Sequence, residues 1–129
     1  MAEQGTIVTG PAAASSRQRS RRLLAADPRL AVIMLPVQRC HLSEGARRHC
    51  EQCPVALALG GFLADLGHHG LLVVVGNRDA CVVDDAGEVI AWDLDPGTQA
   101  AIAAFDAGGG TGPWTAVLTR RAGHADAGP

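Results

Sequence analysis

Residues 40–66 read CHLSEGARRHCEQCPVALALGGFLADL, and the rest of the chain can be understood as a scaffold around them. The apolar segment Pro54–Leu66 follows a loop that holds three of the four cysteines and two of the five histidines. Pro54 suits the first helical position, because its φ is fixed and it has no amide hydrogen to leave unpaired. The segment therefore predicts a helix that is buried on most sides.

Two glycines, Gly60 and Gly61, lie in the middle of this predicted helix. Each of them lowers helix stability by about 1 kcal/mol relative to Ala. We therefore expect a strand or a second helix to pass very close to them.

The apolar runs around this stretch predict strands. Leu30–Val37 is the first of them, and Pro36 near its end indicates that its last residues lie at a sheet edge. Short turns then separate three segments that form an antiparallel meander: Leu71–Val75, Ala80–Val83 and Glu88–Leu94.

A second helix and a final strand complete the predicted fold. Asp95 offers an N-cap and Pro96 a first helical residue, and Gly108 ends this helix. Trp114–Thr119 alternates in the manner of a strand. The order strand, helix, three strands, helix, strand predicts an α+β fold, in which two helices cover one face of a mainly antiparallel sheet of four to five strands.

Composition divides the chain into an arm, one domain and a tail. Residues 1–22 are mostly Ala, Ser, Gly, Gln and Arg, with little to bury, so we expect residues 1–29 to be a disordered, Arg-rich arm. Residues 30–119 form the single α+β domain. Residues 120–129 are polar and predict a loose tail.

Charge separates the arm from the domain. Residues 1–26 carry four Arg and one Glu, a net charge of +3, whereas residues 27–119 carry eleven acids and five Arg, a net charge of −6. An acidic domain argues against a broad nucleic-acid-binding face. Nucleic-acid association through the arm remains an alternative to a solvated tail, and its candidate residues are Arg17, Arg19, Arg21 and Arg22.

The cysteine content bears on the cellular compartment. Four cysteines are too few for a disulfide-rich secreted scaffold, and three of them crowd together in the loop before the first helix. No apolar run reaches the roughly 18 residues of a membrane span. We therefore expect a cytoplasmic protein that does not bind membranes.

The spacing Cys50-x-x-Cys53 indicates a structural zinc site. Zinc takes four N or S ligands in a tetrahedron, and this spacing supplies two thiolates from one turn of chain. Cys40 and His41 are the candidates that complete the set. The fourth position stays open, because it could also be filled by His49, His68, His69 or Cys81.

Two other interpretations of the thiols remain open. Cys53 stands where the N-cap of the helix belongs, and a helix N-terminus favours the thiolate, as thiol-disulfide redox proteins require. Equally, cysteine is among the residues most often buried, and Cys50 and Cys53 could be inert.

No catalytic signature with an attached mechanism occurs in the chain. Neither G-x-S-x-G nor H-E-x-x-H is present, and the glycine run near residue 110 lacks the Lys of a phosphate-binding loop. We therefore expect a small non-enzymatic accessory protein that binds a protein or another macromolecule.

Several motifs resemble those of a group of short proteins from actinobacteria and their phages. They are His41-Leu42 followed by Gly45, then Cys53-Pro54-Val55-Ala56-Leu57-Ala58, and later Phe105-Asp106-Ala107-Gly108 ahead of Pro113-Trp114. The resemblance covers about residues 32–118. It implies a compact domain in a phage or mobile-element setting, within a bacterial host or phage-infected cell, and it implies no particular activity.

Overall fold

The computed structural model describes residues 11–47, 49–109 and 111–122, which form a five-stranded sheet and four α-helices. The strands are β1 (Val32–Val37), β2 (Leu72–Val75), β3 (Asp79–Asp84), β4 (Gly87–Leu94) and β5 (Trp114–Arg120). The helices are α1 (Pro11–Ala26), α2 (Arg39–Glu44), α3 (Pro54–Asp65) and α4 (Pro96–Asp106), and a 3-10 turn (Pro28–Leu30) joins α1 to β1. The predicted α+β fold is confirmed.

The sheet has the strand order β1-β5-β4-β3-β2, and every neighbouring pair is antiparallel. The predicted meander is formed by β2, β3 and β4. After α4 the chain returns as β5 between β4 and β1, so β1 and β2 become the two edges of the sheet. Helix α3 connects these edge strands and packs against both, which requires the sheet to curl around the helix.

One face of the sheet forms the core together with α3. Its buried side chains alternate along each strand, as on β1, where Ile33, Leu35 and Val37 are buried. Helix α3 adds further buried residues that share one stripe, namely Val55, Leu59 and Leu63. Trp92 is the largest fully buried side chain, and its Nε1 donates a 2.7 Å hydrogen bond to the carbonyl oxygen of Leu30.

The glycines that matter for packing differ from those expected. A Cβ at Gly60 or Gly61 would have no atom within 4 Å, so the expected close approach to the middle of α3 is wrong. A tight position beside α3 is Gly45, where a Cβ would lie 2.8 Å from both the His41 carbonyl oxygen and the Pro54 ring. Close approach is needed at the corner where α2 meets the start of α3.

The Arg-rich arm is a helix over much of its length, which differs from the predicted disorder of residues 1–29. Residues 11–26 form α1, and Leu24 at its end is fully buried in the core. Arg21 also forms an ion pair with Asp84 on β3. Burial of one leucine and pairing of one arginine anchor a segment whose average composition is polar. Residues 1–10 lie outside the described residues.

The C-terminal boundary also differs from the prediction. The last strand includes Arg120, and Arg121 is held by its backbone, because its N–H donates to the Ala91 carbonyl oxygen at 2.8 Å. Its guanidinium contacts Asp93 at 2.7 Å and Asp79 at 2.9 Å. These contacts extend the ordered domain beyond residue 119. Residues 123–129 of the predicted tail lie outside the described residues.

Candidate functional site

The loop between α2 and α3 is held at both ends by backbone hydrogen bonds. Ala46 N–H donates to the Gln52 carbonyl oxygen at 2.8 Å, which closes the base of the loop. The Cys50 carbonyl oxygen accepts a 2.8 Å hydrogen bond from Val75 N–H at the end of β2. The loop therefore lies beside the outer edge of β2 and keeps the Cys50 backbone in place.

A cleft of about 420 Å³ opens beside this loop, and we call it the cysteine cleft. It lies where the loop, the start of α3, the end of α4 and the β2–β3 turn meet. Its lining residues are His49, Cys50, Cys53, Val75, Gly76, Asn77, Ile102 and Asp106. The fold thus brings both cysteines of the C-x-x-C spacing to one concave surface.

The two cysteines of the cleft differ in their surroundings. Cys50 is exposed, whereas Cys53 is buried, with 4% of its surface exposed, and is the N-cap of α3. Burial raises the pKa of the Cys53 thiol, and this effect outweighs the backbone amides of Ala56 and Val55, which lower it. A raised pKa leaves Cys53 as a thiol near neutral pH and argues against an activated redox nucleophile.

The other two predicted zinc ligands lie on α2 and do not line the cysteine cleft. His41 is used within its own helix, because its Nδ1 accepts a 2.9 Å hydrogen bond from Gln38 N–H. Cys40 is exposed. In the described part of the chain, no three His, Cys, Asp or Glu side chains are grouped so that they could hold a metal ion.

The arginines proposed for nucleic-acid binding belong to α1. Arg21 is paired with Asp84, and its guanidinium also donates to the Glu88 carbonyl oxygen at 3.3 Å. Arg19 and Arg22 are exposed. The side chain of Arg17 lies outside the described residues. Pairing of Arg21 removes one cation from the predicted cluster.

A polar cluster around the buried carboxylate of Asp27, which the sequence analysis missed, joins the segments that precede the two edge strands. Asp27 lies before β1 and is buried, and its Oδ2 lies 2.9 Å from Nε2 of His68 in the loop before β2. Arg29 donates to the same carboxylate through its backbone N–H and guanidinium at 2.7–3.0 Å. Hydrogen bonds from Arg29, and then from His68, hold the pKa of Asp27 well below its usual range.

The outer edge of β1 is the second candidate site. Arg120 N–H donates to the Ala31 carbonyl oxygen at 2.8 Å, so the odd-numbered residues of β1 direct their backbone groups toward β5. The backbone groups of Val32, Met34 and Pro36 therefore point away from the sheet. Pro36 has no N–H to leave unpaired at this edge, in agreement with the edge position predicted for it.

Exposed apolar side chains accompany this edge. Val32 is 56% exposed and Met34 is 60% exposed, on the face opposite the core. In the sheet register, Met34 lies beside Val117 of β5. The uninterrupted apolar run gave no sign that these two side chains face outward. Pro36, which is typical of an edge strand, is the one residue of this run that could have suggested their exposure.

These features define a small α+β protein with two distinct sheet edges. Comparisons with protein-family models, with curated proteins and with solved structures found no match for this chain. Within the described ranges, no helix has both the length and the apolar character needed to cross a membrane.

Proposed function

We propose that the protein is a non-enzymatic binding protein that takes an extended segment of a partner protein as an added strand on the edge of β1. The observation that carries this proposal is the exposure of Val32 and Met34 beside a sheet edge. Addition of a strand to an exposed edge is a recurring mode of peptide recognition.

The backbone of β1 supplies the affinity in this proposal. The N–H groups of Val32 and Met34, and the carbonyl groups of Val32, Met34 and Pro36, face the position that an added strand would occupy. An added strand exchanges hydrogen bonds with these groups. Because Pro36 has no N–H, the pairing is strongest toward the start of β1.

The side chains of β1 supply the specificity. Alternate residues of an added strand lie on the same face as Val32 and Met34 and contact them. The neighbouring Val117 on β5 is half-buried and extends the apolar surface. The partner segment is therefore expected to carry β-branched or aromatic side chains at alternate positions on this face.

Selection from a library of displayed short peptides tests this proposal. Peptides selected on the wild-type protein are measured by calorimetry against Val32→Arg and Met34→Arg, each of which is expected to weaken binding by about tenfold or more. Leu72→Arg is the matched control, since Leu72 is also an exposed apolar residue, 45% exposed, but lies on the opposite edge strand. Equal losses in all three variants, or no loss at Met34, would contradict the proposal.

Two earlier hypotheses stay predictions beside this one. The first is a structural zinc ion held by Cys40, His41, Cys50 and Cys53, which requires Cys40 and His41 to approach the cleft that Cys50 and Cys53 line. Nucleic-acid association through Arg17, Arg19, Arg21 and Arg22 would weaken steeply as salt rises, because it depends on neutralising phosphates.

A further inference from the structure

We propose that Cys50 and Cys53 form a two-coordinate site for a soft monovalent metal ion, of which Cu⁺ is the biological example. Both residues line the cysteine cleft, and thiolates are the ligands that Cu⁺ prefers. The site is independent of the β1 edge that carries the proposed function.

Backbone contacts hold both ligand residues in place. The Cys50 carbonyl oxygen is bonded to Val75 N–H at 2.8 Å, and Cys53 is the N-cap of a twelve-residue helix. Between them, Gln52 N–H donates to the His49 carbonyl oxygen at 3.1 Å and shapes the turn. Restrained ligand residues lose less conformational freedom when they bind an ion.

The number of ligands favours Cu⁺ over Zn²⁺. Structural zinc sites take four ligands in a tetrahedron, whereas Cu⁺ accepts two thiolates in a linear arrangement. The described residues contain no group of three metal-binding side chains, but the cleft contains two sulfur atoms. Two sulfur ligands are enough for Cu⁺ but not for Zn²⁺.

The electrostatics of the cleft affect both the metal-free site and the Cu⁺-bound site. Binding replaces the proton of each thiol by one shared Cu⁺, so that two protons leave and the bis-thiolate complex carries a charge of −1. Burial of Cys53 opposes negative charge on its sulfur, as does Asp106 across the cleft, whereas the N-terminus of α3 favours it. Because protons compete with the ion for the sulfur atoms, binding is expected to weaken as the pH falls.

Anaerobic titration of the full chain tests the proposal. Cu⁺ is supplied as a complex with a chromophoric chelator, in the presence of a phosphine reductant, and one ion per chain is expected to transfer. Cys50→Ser and Cys53→Ser are each expected to weaken binding by more than about 100-fold, which exceeds the effect of losing a supporting partner of a metal ligand. Cys81→Ser is the matched control and is expected to bind as the wild type does, because Cys81 does not line the cleft. Cys40→Ser separates this site from the four-ligand zinc hypothesis, which alone predicts a loss of binding in that variant.

Additional measurements keep these outcomes interpretable. Cys50 is exposed, so Cys50→Ser is expected to fold normally, and circular dichroism checks each variant. X-ray absorption of the loaded protein is expected to show two sulfur ligands. Undiminished binding in Cys50→Ser, equal loss in Cys40→Ser, or three or more ligands on the copper would each overturn the proposal. Tighter binding of Zn²⁺ with loss in His49→Ala would also overturn it.

Discussion

The two edges of the sheet differ in whether another described segment lies against the edge strand. At the β2 edge, the loop after α2 lies against the strand, and Cys50 accepts a hydrogen bond from Val75. At the β1 edge, no strand of the described residues lies alongside, and Val32 and Met34 are exposed. An uncovered edge with apolar side chains is a liability in a protein that binds nothing. This difference is the basis for the proposal that the β1 edge binds a segment of a partner protein.

Both edges depend on the core that lies between them, and Trp92→Ala is expected to have the largest effect. Trp92 is fully buried, and its loss leaves a cavity and an unpaired Leu30 carbonyl oxygen. We expect the free energy of unfolding to fall by about 3–5 kcal/mol, measured by urea denaturation. Trp92→Phe keeps most of the volume and should cost less. Equal losses in the two variants would contradict the packing role of the ring.

The contact of Asp27 with His68 joins the segments that precede the two edge strands. Its removal is expected to cause the second-largest loss of stability, after Trp92→Ala. The pKa of Asp27 is lower in the folded protein than the value of about 3.9 in an unfolded chain. Its contribution to stability is therefore present above that unfolded value and is lost as the pH falls through the folded value. The urea midpoint of Asp27→Asn should lie below that of the wild type at pH 7, and the gap should narrow in acid below about pH 4. A constant gap would contradict a role for the carboxylate charge.

Gly45→Ala is expected to disturb the loop that lies against β2 and to leave the β1 edge unchanged. Its Cβ would lie 2.8 Å from the Pro54 ring and from the His41 carbonyl oxygen, so α2 and the following loop must shift. Overpacking of this kind typically costs about 1–3 kcal/mol. We also expect weaker transfer of Cu⁺ to the cysteine cleft, with peptide binding at the β1 edge unchanged. Loss of peptide binding in this variant would show that the two edges are not independent.

The smallest expected effect is a gain in stability. Gly61 lies inside α3 with no atom within 4 Å of an added Cβ, so Gly61→Ala has room for its methyl group. It should raise the free energy of unfolding by about 0.4–1 kcal/mol, because alanine restricts the unfolded chain. A loss of stability in urea denaturation would mean that another segment approaches this part of α3.

Sequence patterns predicted the elements but not how they meet. Alternation and turn residues are local signals, so the meander and the helix after Pro54 were predictable. Asp27 and His68 are 41 residues apart, and only the fold brings them together. The cysteine cleft is similar, because Asp106 reaches it from a helix that no pattern linked to Cys50. The arm was misjudged because its average composition conceals a buried leucine, Leu24.

Hydrogen exchange of individual backbone amides, followed by NMR, tests the contrast between the two edges most directly. We predict slow exchange of the Val75 amide, which is hydrogen-bonded to the Cys50 carbonyl oxygen, and fast exchange of the Val32 and Met34 amides on the outer side of β1. Ile33 and Leu35 on the same strand serve as internal controls and should be protected. Protection of Val32 and Met34 equal to that of Ile33, or fast exchange at Val75, would contradict it.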